Sequence, residues 1–238
     1  MSRAIRKRLT AIAYLTAVLA LPPAVCPAAA QPSGPGDGGL PVPTVKLALY
    51  GLRITPSGSD ARQFSSAGWG GGVRLVYSPA TFAHGLGGAL GFDVANLLDQ
   101  TTILVDPHTL VRVEQNTSQY FVRFALGGEI GPHGRGFFRP FAGANVALHV
   151  YTIGTSLTIP DDNDPSRSIY QNLGSETHGA FGYDLALGTD LQYHRYSLEG
   201  GMRFLKSFNV PQQLGRADAV FIHPGYVQAF IGVAVTAR

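Results

Sequence analysis

Eight stretches of the chain alternate between apolar residues and polar or very small ones. They cover roughly 44–54, 69–78, 86–99, 118–130, 138–154, 177–193, 196–208 and 225–237. Side chains on a β-strand alternate with period two, so this pattern predicts eight strands. The sixth stretch is the clearest. Phe181, Tyr183, Leu185, Leu187, Leu191 and Tyr193 share one face with Thr189, while His178, Ala180, Gly182, Asp184, Ala186, Gly188, Asp190 and Gln192 share the other. In the fourth, Tyr120, Val122, Phe124, Leu126 and Ile130 oppose Phe121, Arg123, Ala125, Gly127 and Glu129. The seventh sets Leu198, Met202 and Phe204 against Glu199, Gly201 and Arg203, and the last sets Val227, Ile231, Val233 and Val235 against Gln228, Gly232 and Thr236.

Gly and Ala dominate the polar face, with isolated charges among them. The water-facing side of a soluble sandwich is instead rich in Lys, Glu and Thr. Small residues suit a crowded barrel lumen. The stretches are also long, often about 11–17 residues. Soluble strands run to about 5–6, whereas a tilted membrane strand needs about 9–11. The expected fold is therefore all-β: an eight-stranded antiparallel up-and-down transmembrane β-barrel.

The connections point the same way. Those at 55–68, 100–117, 155–176 and 209–224 are long, and those at 79–85, 131–137 and 194–195 are short. Membrane barrels of bacterial outer membranes have short periplasmic turns and long extracellular loops. Eight strands then put both termini in the periplasm. Aromatic residues collect near strand ends, as interfacial girdles do. Tyr77, Phe82, Phe137, Phe138, Tyr193 and Tyr196 are expected at the periplasmic rim, and Trp69, Tyr120, Tyr151, Phe208 and Tyr226 at the outer rim. Thirty glycines in 238 residues, with 10% aromatic and 14% charged residues, disfavour helices and fit curved, closely packed strands.

The first 30 residues read as a secretory signal peptide. Arg3, Arg6, Lys7 and Arg8 precede an apolar run from Leu9 to Leu21, and Ala28-Ala29-Ala30 closes the segment. The run is shorter than the roughly 20 residues of a membrane helix. Residues 31–43 form a Pro/Gly linker, and 44–238 form the barrel domain. The segment 1–30 holds four basic residues and no acidic ones, so a formal charge of +3 for the chain becomes 3 − 4 = −1 after cleavage. No basic surface remains to suggest nucleic acid. The single cysteine, Cys26, leaves with the signal, so stability without disulfides must come from a large core or from a membrane.

Arg139-Pro140-Phe141-Ala142-Gly143-Ala144 opens the fifth stretch. It resembles the Pro-aromatic-x-Gly-Ala motif of the small outer-membrane β-barrel family, the porin-like barrels of OmpW/OmpX type. The resemblance implies insertion in the outer membrane, eight strands, contact with outer-membrane lipid and lipopolysaccharide, and handling by the barrel-assembly machinery. It implies no particular activity. The chain ends Val235-Thr236-Ala237-Arg238 rather than on the aromatic residue typical of the family, a variant insertion signal.

Charges gather on the expected inner face: Lys46, Arg74, Arg123 and Arg203 with Asp93, Glu129, Asp184, Asp190 and Glu199, joined by His149 and His178. A polar channel or proton relay is one reading. A paired ionic network that fills the lumen is the favoured one, because eight strands enclose a space just wide enough for side chains and buried charges must be paired. No histidine is followed two residues later by serine, the signature of lipid-modifying outer-membrane enzymes. Asp161, Asp162, Asp164, Asp218 and His223, which an omptin-like protease would need at its rim, fall in loops. Asp161-Asp162-Asn163-Asp164 lacks the Gly and downstream Glu of a regular Ca²⁺ loop and reads as a solvated tip. No catalytic residue, cofactor or metal is expected. The expected protein is a monomeric barrel of the cell outer membrane with a structural, surface-interaction or small-solute passage role. The alternatives are a soluble periplasmic lipocalin-like binding barrel and, after it, an outer-membrane lipid-modifying enzyme.

Overall fold

In a computed structural model of the chain, the described residues are 43–79, 85–105, 112–131, 137–161, 167–212 and 220–237. The chain divides into Met1–Gly38 and Gly39–Arg238, and all described residues belong to the second unit. The signal segment, most of the linker and Phe82 lie outside them.

The strands are β1 (Thr44–Ser57), β2 (Gly68–Ser78), β3 (Leu86–Val105), β4 (Arg112–Ile130), β5 (Phe138–Ile159), β6 (Ile169–Tyr193), β7 (Tyr196–Ser207), β8 (Val210–Gln212), β9 (Val220–Ile222) and β10 (Gly225–Ala237), with a short helix, α1 (Ser59–Phe64), after β1. Eight of them close a barrel in the order β1-β10-β7-β6-β5-β4-β3-β2, every pair antiparallel, and β8 and β9 form a separate hairpin. All eight expected strands are present.

The register shows which way the barrel faces. Leu49, Val73, Phe92, Phe124, Leu148 and Phe181 lie side by side across six strands. All point outward, and Phe181 is 76% exposed. One residue over, the row Tyr50, Gly72, Asp93, Arg123, His149 and Ala180 points inward. A continuous apolar exterior around a polar interior is stable only where lipid replaces water outside. The protein is a transmembrane β-barrel, and a lipocalin-like reading would have these faces reversed.

Close packing inside depends on missing side chains. A Cβ on Gly72 would stand 2.1 Å from Asp93 Oδ1 and 2.9 Å from the Tyr50 ring. One on Gly182 would stand 2.9 Å from the His149 ring. Glycine at these two positions lets large inward groups meet across a strand.

Four strands run well beyond the expected ends, and β1 runs on to Ser57. β3 extends to Val105, β4 starts at Arg112, β5 reaches Ile159 and β6 starts at Ile169. Much of what was expected as loop at 100–117 and 155–176 is paired sheet. The extensions of β3 and β6 are exposed on both faces and those of β4 and β5 half-buried on both, so none of them alternates, and only their Thr, Ile and Val content marks them as strand. At the opposite end, β6 and β7 join through His194 and Arg195, with His194 in the left-handed region at φ 56°.

Candidate functional site

The lumen contains three layers. At the end with the short turns, Lys46 Nζ lies 2.6 Å from Asp190 and 3.3 Å from Glu199. Arg74 Nη1 lies 2.5 Å from Glu129 and its Nη2 pairs with Glu199, while the guanidinium sits 4.4 Å above the Phe141 ring. Arg139, buried on β5, faces Asp190 in the register.

The middle layer is centred on Asp93. Arg123 Nε lies 2.5 Å from it, and Arg123 Nη1 reaches across to Asp184. Arg203 Nη1 approaches Asp93 at 3.2 Å and donates to Gln228 Oε1 at 3.1 Å. Tyr50 also donates to Asp93, and Asn145 donates to Asp184. The Arg203 guanidinium lies against both the Tyr50 and Phe230 rings, 4.6 and 4.4 Å from their centres, and the two rings are themselves 5.5 Å apart. Two arginines thus face two aspartates, all at 2% exposure or less. Between the ion layers, the void bordered by Arg74, Arg123, Glu129 and Arg203 measures about 10 Å³, scarcely the space of one water.

The third layer, toward the long connections, is apolar. Leu52, Ile54, Leu97, Phe121, Leu205 and Tyr226 pack with Ala61 of α1, Val210 of β8 and Ile222 of β9. Phe121 lies 5.3 Å from the Tyr151 ring and 5.9 Å from the Tyr226 ring. Tyr151 and Tyr226 are each only 2% exposed, so both belong to this plug and not to an outer girdle. Sequence placed them near the rim but not on the inner side of it. Trp69, Tyr120 and Phe208 are exposed at that end, as are Tyr77, Phe137, Phe138, Tyr193 and Tyr196 at the other.

Nine of the eleven expected lumen residues, Lys46, Arg74, Asp93, Arg123, Glu129, Asp184, Asp190, Glu199 and Arg203, meet in the two ion layers. His149 lies beside them, its Nδ1 2.6 Å from Ser207 Oγ, which in turn lies 2.7 Å from Tyr151 Oη. A histidine against a serine hydroxyl has the geometry of an activated nucleophile, but both are sealed beneath the plug. His178 is apart from the network. Its alternation is right, but it stands at the mouth, partly exposed, with Nε2 3.4 Å from Glu176. Tyr50, Asn145 and Gln228 were not foreseen as members. Their place on the charged faces was the available signal, but they carry no formal charge. Asp162, Asn163, Asp164 and Asp218 lie outside the described residues.

The plug is latched from the loop side. The backbone N–H of His223 donates to Asp60 Oδ2 at 3.1 Å, Lys206 Nζ donates to the His223 carbonyl at 2.5 Å, and Asn209 N–H donates to His223 Nδ1 at 3.2 Å. The His223 amide, then the Ser59 hydroxyl, hold the Asp60 carboxyl below its ordinary value of 3.8. The ionised form is thus favoured in the latched state. The Asp60–His223 bond of the latch holds above that ordinary value and is lost as pH falls through the depressed one. Amide exchange of His223 is expected to stay slow from neutral pH to about 4.5 and to accelerate only below the ordinary aspartate range of about 3.9. Equal loss of protection already at pH 5 would show that another group holds the latch.

No family model matches the chain, and no curated protein matches it. Solved structures do. Neisserial surface protein A is 11% identical, with 81% of this chain and 96% of that one covered at a TM-score of 0.48. The outer membrane protein OprG from Pseudomonas aeruginosa is 12% identical, covering 84% and 98% at 0.46. A major outer membrane protein from Thermus thermophilus is 14% identical, covering 81% and 99% at 0.46.

Proposed function

We propose that the chain is a monomeric, non-conducting and non-catalytic barrel of a Gram-negative outer membrane, with periplasmic termini, whose role is interaction at the cell surface. The observation that carries this is the contrast between a sealed lumen and a protruding sheet. Charged pairs and an apolar plug fill the interior. Above the lipid belt, β3–β6 continue as a four-stranded sheet with Ile103, Leu104, Val105, Ile169, Tyr170 and Leu173 exposed. Among the described residues its edges have no strand partner: β2 leaves β3 at Asn96, and β7 meets β6 only from Gly182 onward. Exposed apolar residues and open strand edges are features of a binding surface. Outer-membrane lipid, lipopolysaccharide and, during insertion, the barrel-assembly machinery are its proposed partners. No nucleic acid is.

Fractionation with heat-modifiable migration on SDS gels tests the location. Planar-bilayer recording tests the role. The purified barrel is expected to give no stepwise current, whereas steps that change with Arg123→Met or Glu129→Gln would establish solute passage instead.

A further inference from the structure

On the outer surface of β1 and β2 the register stacks five pairs from the short-turn end toward the loops: Val45 with Tyr77, Leu47 with Leu75, Leu49 with Val73, Gly51 with Gly71, and Arg53 with Trp69. The first three are lipid-facing apolar pairs. The last is a cation at the upper edge of the belt. The Arg53 guanidinium lies 5.2 Å from the centre of the Trp69 ring, and both side chains are exposed. Among the described residues no carboxylate pairs with Arg53. The ring positions the cation and leaves its N–H donors free.

The glycine pair lies directly beneath. A side chain added at Gly51 would meet nothing within 4 Å. Ile231 of β10 stands opposite Gly51 on the other side. A shallow slot, walled by Ile231 and floored by backbone, therefore leads from the apolar belt to a fixed guanidinium. Tryptophan prefers the headgroup level of a bilayer, which sets this guanidinium among lipid headgroups.

We propose that Arg53, Trp69, Gly51 and Gly71 form a docking site for a phosphorylated lipid, the phosphate on Arg53 and an acyl chain across the two glycines. A planar guanidinium matches phosphate through two parallel hydrogen bonds. The proposal rests on the outer-membrane reading above. There the leaflet on the loop side is lipopolysaccharide, so the occupant is the phosphorylated lipid A portion of that molecule.

The test uses the mature protein in a neutral detergent, titrated with bis-phosphorylated lipid A, dephosphorylated lipid A or phosphatidylglycerol, with bound lipid counted by native mass spectrometry. Arg53→Gln is expected to weaken bis-phosphorylated lipid A about tenfold, the worth of one charge-assisted contact, and Arg53→Lys less. Dephosphorylated lipid A should bind the unaltered protein as weakly as the intact lipid binds Arg53→Gln. Gly51→Leu, which keeps the cation, should weaken both lipid A forms alike. Equal binding by all variants overturns the site, and phosphatidylglycerol binding as tightly as lipid A overturns the occupant. Heat-modifiable migration shows that each variant is folded. Fractionation reports separately on the outer-membrane reading, so the two failures are distinguishable.

Discussion

Replacing Arg123 by alanine is expected to destabilise the barrel by about 3–5 kcal/mol, the cost of leaving buried charge without its partner. Arg123 joins β4 to Asp93 on β3 and to Asp184 on β6, and it is 1% exposed. Without it Arg203 still faces Asp93, but among the described residues Asp184 retains only the neutral amide of Asn145. The temperature at which the compact gel band converts to the slow one should fall accordingly. The pair itself is not the source of stability, since a buried ion pair often only offsets its own desolvation. The double variant Arg123→Met, Asp184→Asn, which leaves Asp93 paired with Arg203, should therefore recover much of the loss. A fall of less than about 1 kcal/mol for Arg123→Ala would mean that water reaches both aspartates. The lumen would then be wet, and solute passage would displace surface interaction as the favoured role.

The strand ring was legible because the membrane imposes one rule on every strand. Outward residues must be apolar, so period two survives through Phe181, Leu185 and Leu187 or Phe124 and Leu126 without interruption. The same rule told which charges share the interior. It could not tell which of them meet. Lys46 and Asp190 are 144 positions apart, and Arg203 and Asp93 are 110 apart. Their contact depends on the stagger of strands around the ring, which alternation along one strand does not encode. The plug was hidden for a related reason. Leu52, Ile54 and Tyr226 are apolar residues on an inner face, and only closure by α1 and the β8–β9 hairpin makes that environment dry. Above the belt the rule lapses, and with it the signal for the ends of β3–β6.

Phe124→Arg should cost about 2–4 kcal/mol, the range for arginine on the lipid face at the middle of a bilayer. Phe124 points outward within the six-residue apolar row and packs against Phe92 at 5.0 Å between ring centres. The companion change is Asn116→Arg, on the same outward side of β4 but in its extension. Near or beyond the interface the cost falls to about 0–1 kcal/mol. Folding free energies of both variants, measured by urea titration into lipid vesicles, should therefore differ by about 1–4 kcal/mol. The difference depends on depth, not on strand propensity, because both sites lie on one continuous strand. It locates the upper edge of the lipid between residues 116 and 124. On the proposed reading, Glu114, Gln115, Asn116 and Thr117, half-buried in the extension, then lie above that edge, on the part of the sheet proposed to meet another molecule. Equal costs at the two positions would sink the extension into the bilayer, and the surface assigned to recognition would become lipid-facing wall.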